Sequence, residues 1–583
     1  MMTPLRESIR GRIHGARSCA GRPLERPSWL AAAWLCATLP LAGCAGLPAG
    51  SGAAAGSAPE AGARLLVAEV ALDRGQYPVA AREYRLAAAE SRDPQVAERA
   101  ARVAFDAGQD RELELIARDW LKRAPTTEVA RRFLAVSLLN QGRAQEAERE
   151  FATLVHTAYP GPAEAFTALQ QSLGEVRNLP TAALVVGRLA AGYPDVAEAA
   201  LAHGTLALAA GDSPTAIAEA QRALTLRADL REARWLEVRA RIAGGDCPGG
   251  LAGSAALAAE AGEGDRLLHA WMLTACDRGA EARPIFDDLA RGRLARPEAL
   301  EGLAGLDVEA GRYDDAVNHY TELLATGRST DRAFFGLGLV ADRKGERDRA
   351  LRFYTRVTTG PRAGTAQLRA YRLLLDSGDP ATAARQLDEY VASNPDARVL
   401  TTAGRVQVLS EYGRAREALA LADRSLVAYP DQEELRYSRA AVLEKLDRVD
   451  EAVRELRGVL RQRPDDAQAM NALGYTLADH GRELPEAERL IRTAHERRPD
   501  SAAIQDSLGW VLFRRGRGTE GLEWLKRAYA AEADPEIAAH LGEVQWALGQ
   551  HEAAERTWRG ALEKSPGSRP LIEALGRHVG TPP

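Results

Sequence analysis

Few residues of this sequence stand at a spacing that catalysis could use. His495-Glu496 opens like a two-histidine zinc motif, but the second ligand position, one helical turn on, holds Pro499. The other His show no ligand spacing, and the five Lys (Lys122, Lys344, Lys445, Lys526, Lys564) are scattered, none following a glycine-rich loop. No Gly-x-Ser-x-Gly elbow is present. The carboxylate pairs Asp287-Asp288 and Asp314-Asp315 sit among Arg in helical patterns and read as solvated helix faces. No enzyme, cofactor or metal site is expected. What remains is a recognition chemistry near the C-terminus. Asn471, Tyr475 and Asp479 recur every fourth residue and so share one helix stripe. Trp510, Phe513 and Arg514 carry the equivalent stripe one segment later, and Glu543 and Trp546 the next. Aromatic anchors beside an amide and paired charges suit capture of a peptide or protein. Trp524 and Trp558 read as core.

The elements that must position these residues repeat. Between Ala467 and Pro566 three segments share a Leu-Gly pair (Leu473-Gly474, Leu508-Gly509, Leu541-Gly542) and then a Gly seven residues on (Gly481, Gly516, Gly549). A small residue (Ala487, Gly521, Ala554), a bulky one (Ile491, Leu525, Trp558) and an Ala (Ala494, Ala528, Ala561) follow. Apolar spacing of this kind builds two amphipathic helices, the central Gly ends the first, and the small residues allow the second to approach closely. Pro499 and Pro566 close second helices, and the Asp after Pro499 can cap the next. Pro-Asp junctions at Pro194, Pro395, Pro430 and Pro464 mark further boundaries. The small-residue position can be followed upstream at near-constant steps, through Ala452, Ala316 and Ala147 to Ala80, with a one-residue insertion near Leu484. The period of about 34 residues gives about 15 hairpins between residues 61 and 568. A single hairpin cannot bury both faces, so the hairpins must stack. We expect an all-α, right-handed superhelical solenoid.

Composition agrees: of 583 residues 27% are charged and only 5% aromatic, a balance suited to a helix-rich soluble body. Residues 1–43 carry six Arg against two Glu, which leaves 70 basic and 79 acidic side chains, a net charge of −9, on the remainder. Nucleic-acid binding would need the opposite sign.

The first residues read as an export leader. Arg-dotted sequence to Arg26 precedes an apolar run, Trp29 to Gly43, too short for a permanent span. Leu41-Ala42-Gly43-Cys44 resembles the lipobox of bacterial lipoproteins, which implies lipidation of Cys44. Ala45 and Gly46 follow in place of a retention Asp, so the resemblance implies an outer-membrane lipoprotein facing the periplasm. The expected organisation is a signal peptide (1–43), lipidated Cys and flexible tether (44–64), an N-terminal array (65–263), an eroded, Gly-rich joint (264–330), a C-terminal array (331–568) and a cap or tail (569–583). The Gly/Ala/Ser/Pro tether would reach roughly 25 Å as a random coil.

From about residue 61 the chain resembles the tetratricopeptide repeat superfamily. The lipobox and the strings NALGYTLAD, DSLGWV and AAHLGEVQWALG further resemble periplasmic lipoprotein adaptors of carboxyl-terminal processing proteases. That resemblance implies a protein partner, a protease brought together with substrates such as cell-wall hydrolases. The competing expectation is a static scaffold of an envelope polysaccharide export or outer-membrane assembly machine. In the repeat frame Cys247 starts one second helix and Cys276 ends the next first helix, so these ends are neighbours. In an oxidising compartment a disulfide is expected there, the alternative being two free buried thiols.

Overall fold

The computed structural model describes residues 58–580 except 74–75, 174–175, 261, 395–396, 431, 465, 500 and 566. The leader, Cys44, the tether up to residue 57, Pro395, Pro566 and the capping Asp500 lie outside the described residues. Among the described residues the chain forms 31 α-helices and no strand: fifteen consecutive hairpins and a final helix, Arg569–His578. The first helix begins at Ala58, so the last part of the expected tether, residues 58–64, is helical.

The repeat phase read from the sequence is the packing phase of the solenoid. The second-helix positions from Ala80 to Ala554, including the two that hold Gly250 and Gly521, are all buried. Where the first helix carries a Leu-Gly pair, that pair is their partner: a Cβ at Gly474 would stand 3.0 Å from the Ala487 carbonyl oxygen and 2.6 Å from Ile491 Cγ1, so only Gly lets the two helices meet there. Most first helices end on a left-handed residue, φ being 63° at Gly481 and 79° at Gly516. The following N–H groups of Arg482 and Arg517 then bond back to the carbonyls of Leu477 and Leu512, the six-to-one bond of a Schellman turn. Two hairpins use Asp instead, Asp277 at φ 60° and Asp447 at φ 61°. The insertion before Leu484 is absorbed by a second left-handed residue, Glu483 at φ 42°.

Pro-Asp junctions do less capping than expected. After Pro464 the cap is Asp466, whose carboxylate accepts from Gln468 N at 2.9 Å and Ala469 N at 3.0 Å. After Pro194 and Pro430 the N-cap residues are Val196 and Gln432, which make no side-chain cap. The segment expected to be an eroded joint contains the regular helices Glu263–Ala275, Gly279–Arg291, Arg296–Glu309 and Tyr313–Ala325. It has its own core, where the Trp271 ring meets Phe286 edge-on at 5.1 Å. Cys247, at the start of helix Cys247–Glu260, is disulfide-bonded to Cys276, with Cα atoms 5.8 Å apart.

Neighbouring hairpins supply most of the contacts, but the superhelix also touches itself one turn on. The Arg463 guanidinium reaches the Asn140 carbonyl oxygen across 323 residues. Arg398 lies over the Tyr77 ring at 5.7 Å, and Gly108 faces Gln432, whose Nε2 would stand 4.0 Å from an added Cβ. All three pairs share nearly the same sequence spacing, so they mark a seam between successive turns.

Candidate functional site: a groove at the C-terminal end

Five consecutive first helices and the final helix line one groove of 870 Å³. Glu411 and Lys445 come from the ends of Arg398–Glu411 and Glu433–Lys445. Ala467–Asp479 gives Tyr475 and Asp479, Ala502–Arg514 gives Trp510, Phe513 and Arg514, and Pro535–Ala547 gives Glu536, His540 and Glu543. Arg569, Glu573 and Arg577 of the final helix close one end. First helices reach the same cavity because each hairpin turns its first helix inward, and the four-residue spacing keeps a stripe on that side.

Of the eight residues singled out in the sequence, six meet here: Tyr475, Asp479, Trp510, Phe513, Arg514 and Glu543. Two do not. Trp546 packs instead against His551 at 4.2 Å, Trp558 at 6.0 Å and His578 at 5.0 Å, because the final helix folds over its ring. Asn471 is half-buried outside the lining, its Oδ1 without a hydrogen-bond partner. Trp558 is fully buried, and Trp524 is half-buried, with His495 edge-on to it at 4.8 Å and Arg527 over its face at 5.0 Å.

The centre of the groove is a residue that spacing did not reveal. His540 stacks on Trp510 with centroids 4.5 Å apart. Its Nδ1 lies 2.9 Å from an Asp506 oxygen and its Nε2 3.3 Å from the Tyr475 hydroxyl. Burial pushes the His540 pKa down, but the Asp506 carboxylate, with Glu536 and Asp479 beyond it, carries it above the ordinary value. The sequence signal was its size: His540 stands where the two preceding repeats place Ala472 and Ser507.

Aspartate, imidazole and hydroxyl in series resemble a proton relay, yet the Tyr475 hydroxyl is held neutral. Burial, then the carboxylates Asp479, Glu536, Asp506 and Glu444, raise its pKa well above 10.0. A group so far from ionising is a poor nucleophile at neutral pH. The remaining contacts are structural. Trp510 Nε1 donates to Asp479 Oδ1 at 3.1 Å, and Arg514 donates to the Asp479 backbone carbonyl and lies over the Trp510 ring at 5.8 Å. Beside the groove, Glu444, Asp479 and His480 bring ligand-type atoms within 4.8 Å of one another. Those atoms serve each other: His480 Nε2 lies 3.2 Å from Glu444 Oε1, and Thr476 donates to Glu444 Oε2.

The hairpin geometry and its period define the class. The tetratricopeptide repeat family model matches residues 302–364, 403–467, 437–487 and 472–536. Those residues match tetratricopeptide repeats, and the fold of the chain is a superhelical solenoid of that kind. Among curated proteins it is similar to the TPR repeat-containing protein PA4667 of Pseudomonas aeruginosa, 31% identical over 213 residues, which is 36% of this chain and 36% of the relative. The match thus spans about a third of that relative's length. Among solved structures it is similar to the thermophilic TPR protein TTC0263 of Thermus thermophilus, 24% identical over 31% of this chain and 98% of that one, with a TM-score of 0.29. It is also similar to the Cut9-Hcn1 hetero-tetramer of APC/C, 14% identical over 89% of this chain and 96% of that one, with a TM-score of 0.31. Tetratricopeptide repeats mediate the binding of protein partners.

Proposed function

We propose that this chain is an outer-membrane-anchored periplasmic adaptor that captures a protein through its C-terminal groove and brings a carboxyl-terminal processing protease together with cell-wall hydrolase substrates. The observation that carries the capture step is the groove itself: three aromatic residues, Tyr475, Trp510 and Phe513, on inward faces of consecutive first helices, in a cavity large enough for an extended peptide. The anchor rests on the lipobox at Cys44, and the protease on the resemblance of the C-terminal strings to such adaptors.

The test is a deletion strain with quantitative envelope proteomics, complemented by the wild-type chain or by Phe513→Ala. Accumulation of cell-wall hydrolases in the deletion, reversed by the wild-type chain and not by Phe513→Ala, is the expected result. Unchanged hydrolases with loss of one secreted polymer would instead identify a static export scaffold.

A further inference from the structure

Charge in the groove is unevenly spent. Each cation there is engaged by the protein itself: Lys445 Nζ donates to the Ser410 carbonyl at 2.6 Å, Arg577 pairs with Glu543 at 2.7 Å, and Arg569 pairs with Glu573 at 2.5 Å. Arg514 is held by the backbone and side chain of Asp479. The carboxylates are not all spent in return. Glu536 makes no ion pair among the described residues, although its side chain reaches the lining.

Three groups of different chemistry sense the resulting field with the same sign. The Glu536 carboxyl is raised by burial and by Asp534, Asp506 and Glu411, with only His540 opposing them among its principal neighbours. The Tyr475 hydroxyl is raised by burial and four carboxylates, and His540 is raised through Asp506, Glu536 and Asp479 against its burial. An acid resists ionising, and a base holds its proton, where the potential is negative. The same cavity holds the Tyr475 hydroxyl, which feels the Glu536 charge, and the Trp510 ring, which stacks on His540 one turn along from Glu536; both rings suit the methylene stem of a long basic side chain.

We propose that the groove seats a Lys or Arg side chain projected from an extended segment of the captured protein, its stem against Tyr475 and Trp510 and its charged head on Glu536. This rests on the groove being the capture site and adds the chemistry of what it captures. An acidic segment is disfavoured because, among the described residues, each groove cation is already engaged. An uncharged segment would cover Glu536, which is exposed to solvent in the open groove, without giving it a partner.

Calorimetric titration of the full chain with three peptides of one Gly/Ala/Leu background, carrying Lys, Glu or Ser at the variable positions, tests this. The Lys peptide is expected to bind about tenfold or more tighter than the other two, with affinity falling as salt rises, and to lose about tenfold in Glu536→Gln. That variant keeps size and shape, and an unchanged melting temperature shows that it folds. Equal binding of the Glu peptide, or full Lys-peptide affinity in Glu536→Gln, overturns the proposal. If Lys and Ser peptides bind alike and both are lost in Phe513→Ala, the groove stands as the capture site and the cationic occupant falls. If no peptide binds and Phe513→Ala complements the deletion fully, both readings fall.

Discussion

The Arg463 guanidinium donates to the backbone carbonyl of Asn140 at 3.2 Å, joining residues that lie a full superhelical turn apart. Arg463 is held in place by Glu433 of its own turn at 2.5 Å, so one arginine ties a local ion pair to a distant backbone. Such part-exposed contacts contribute about 1 kcal/mol or less each, far below the apolar burial between adjacent hairpins. The turns are therefore held to each other much more weakly than the hairpins within a turn. Arg463→Ala with Arg398→Ala should enlarge the radius of gyration in small-angle scattering while far-ultraviolet dichroism keeps its helical signal. Identical scattering curves would show that these contacts do not hold the turns together.

His540 gives the C-terminal repeats a defined pH response. It faces Asp506, Glu536, Asp479, the Tyr475 hydroxyl and the Trp510 ring, and its folded-state pKa lies above the usual 6.5. A group raised on folding stabilises fully below its unfolded pKa and loses that stabilisation as pH rises through the folded value. Melting of the C-terminal repeats should accordingly occur at lower temperature at pH 8.5 than at pH 6, by a margin that shrinks in His540→Gln. A variant retaining the full pH slope would assign it to another group.

Asp447 occupies the left-handed position that Gly fills in most hairpins. A Gly in that same left-handed turn should be more stable by about 1 kcal/mol, since a side chain is strained there. Asp447→Gly is expected to raise the melting temperature, and Gly516→Ala, made at a comparable turn, to lower it. A lower melting temperature in Asp447→Gly would mean that Asp447 makes a compensating contact.

The disulfide between Cys247 and Cys276 closes a 29-residue separation and should contribute about 2–4 kcal/mol by restricting the unfolded chain. Mass spectrometry should show two further alkylation sites on the mature protein only after reduction. Two thiols alkylated in the denatured protein without reduction would place them free.

Trp546 separates folding from capture. With its ring between His551 and His578, Trp546→Ala should cost about 2 kcal/mol or more of stability and reduce capture only through unfolding. Lost partner binding at an unchanged melting temperature would return that ring to the groove.

The fold was legible because stacking imposes its rule at nearly every repeat: a small residue recurs on the second helix from Ala80 to Ala554, Leu113 being the exception, and the last three repeats add a Leu-Gly pair opposite it. Most of the groove was legible for the complementary reason. Tyr475 and Trp510 occupy a stripe on which stacking makes no demand, so their identity stood out. Trp546 occupies that stripe too, but the final helix covers it, and a cap without a repeat signature cannot be placed from spacing. His540 escaped notice because it occupies a position whose earlier counterparts are Ala472 and Ser507, and only the fold brings Asp506 and Tyr475 to its two nitrogens.

The seam also sets a count. Its three contacts recur at close to 323 residues, or roughly nine and a half periods of about 34. Excising one whole hairpin between the turns would leave every neighbour-to-neighbour interface intact and yet misalign Tyr77, Gly108 and Asn140 from their partners all at once. Repeat arrays commonly tolerate gain and loss of units, since each unit answers only to those beside it. Here the coil closes like a toothed ring, and the number of teeth between one turn and the next is part of its specification.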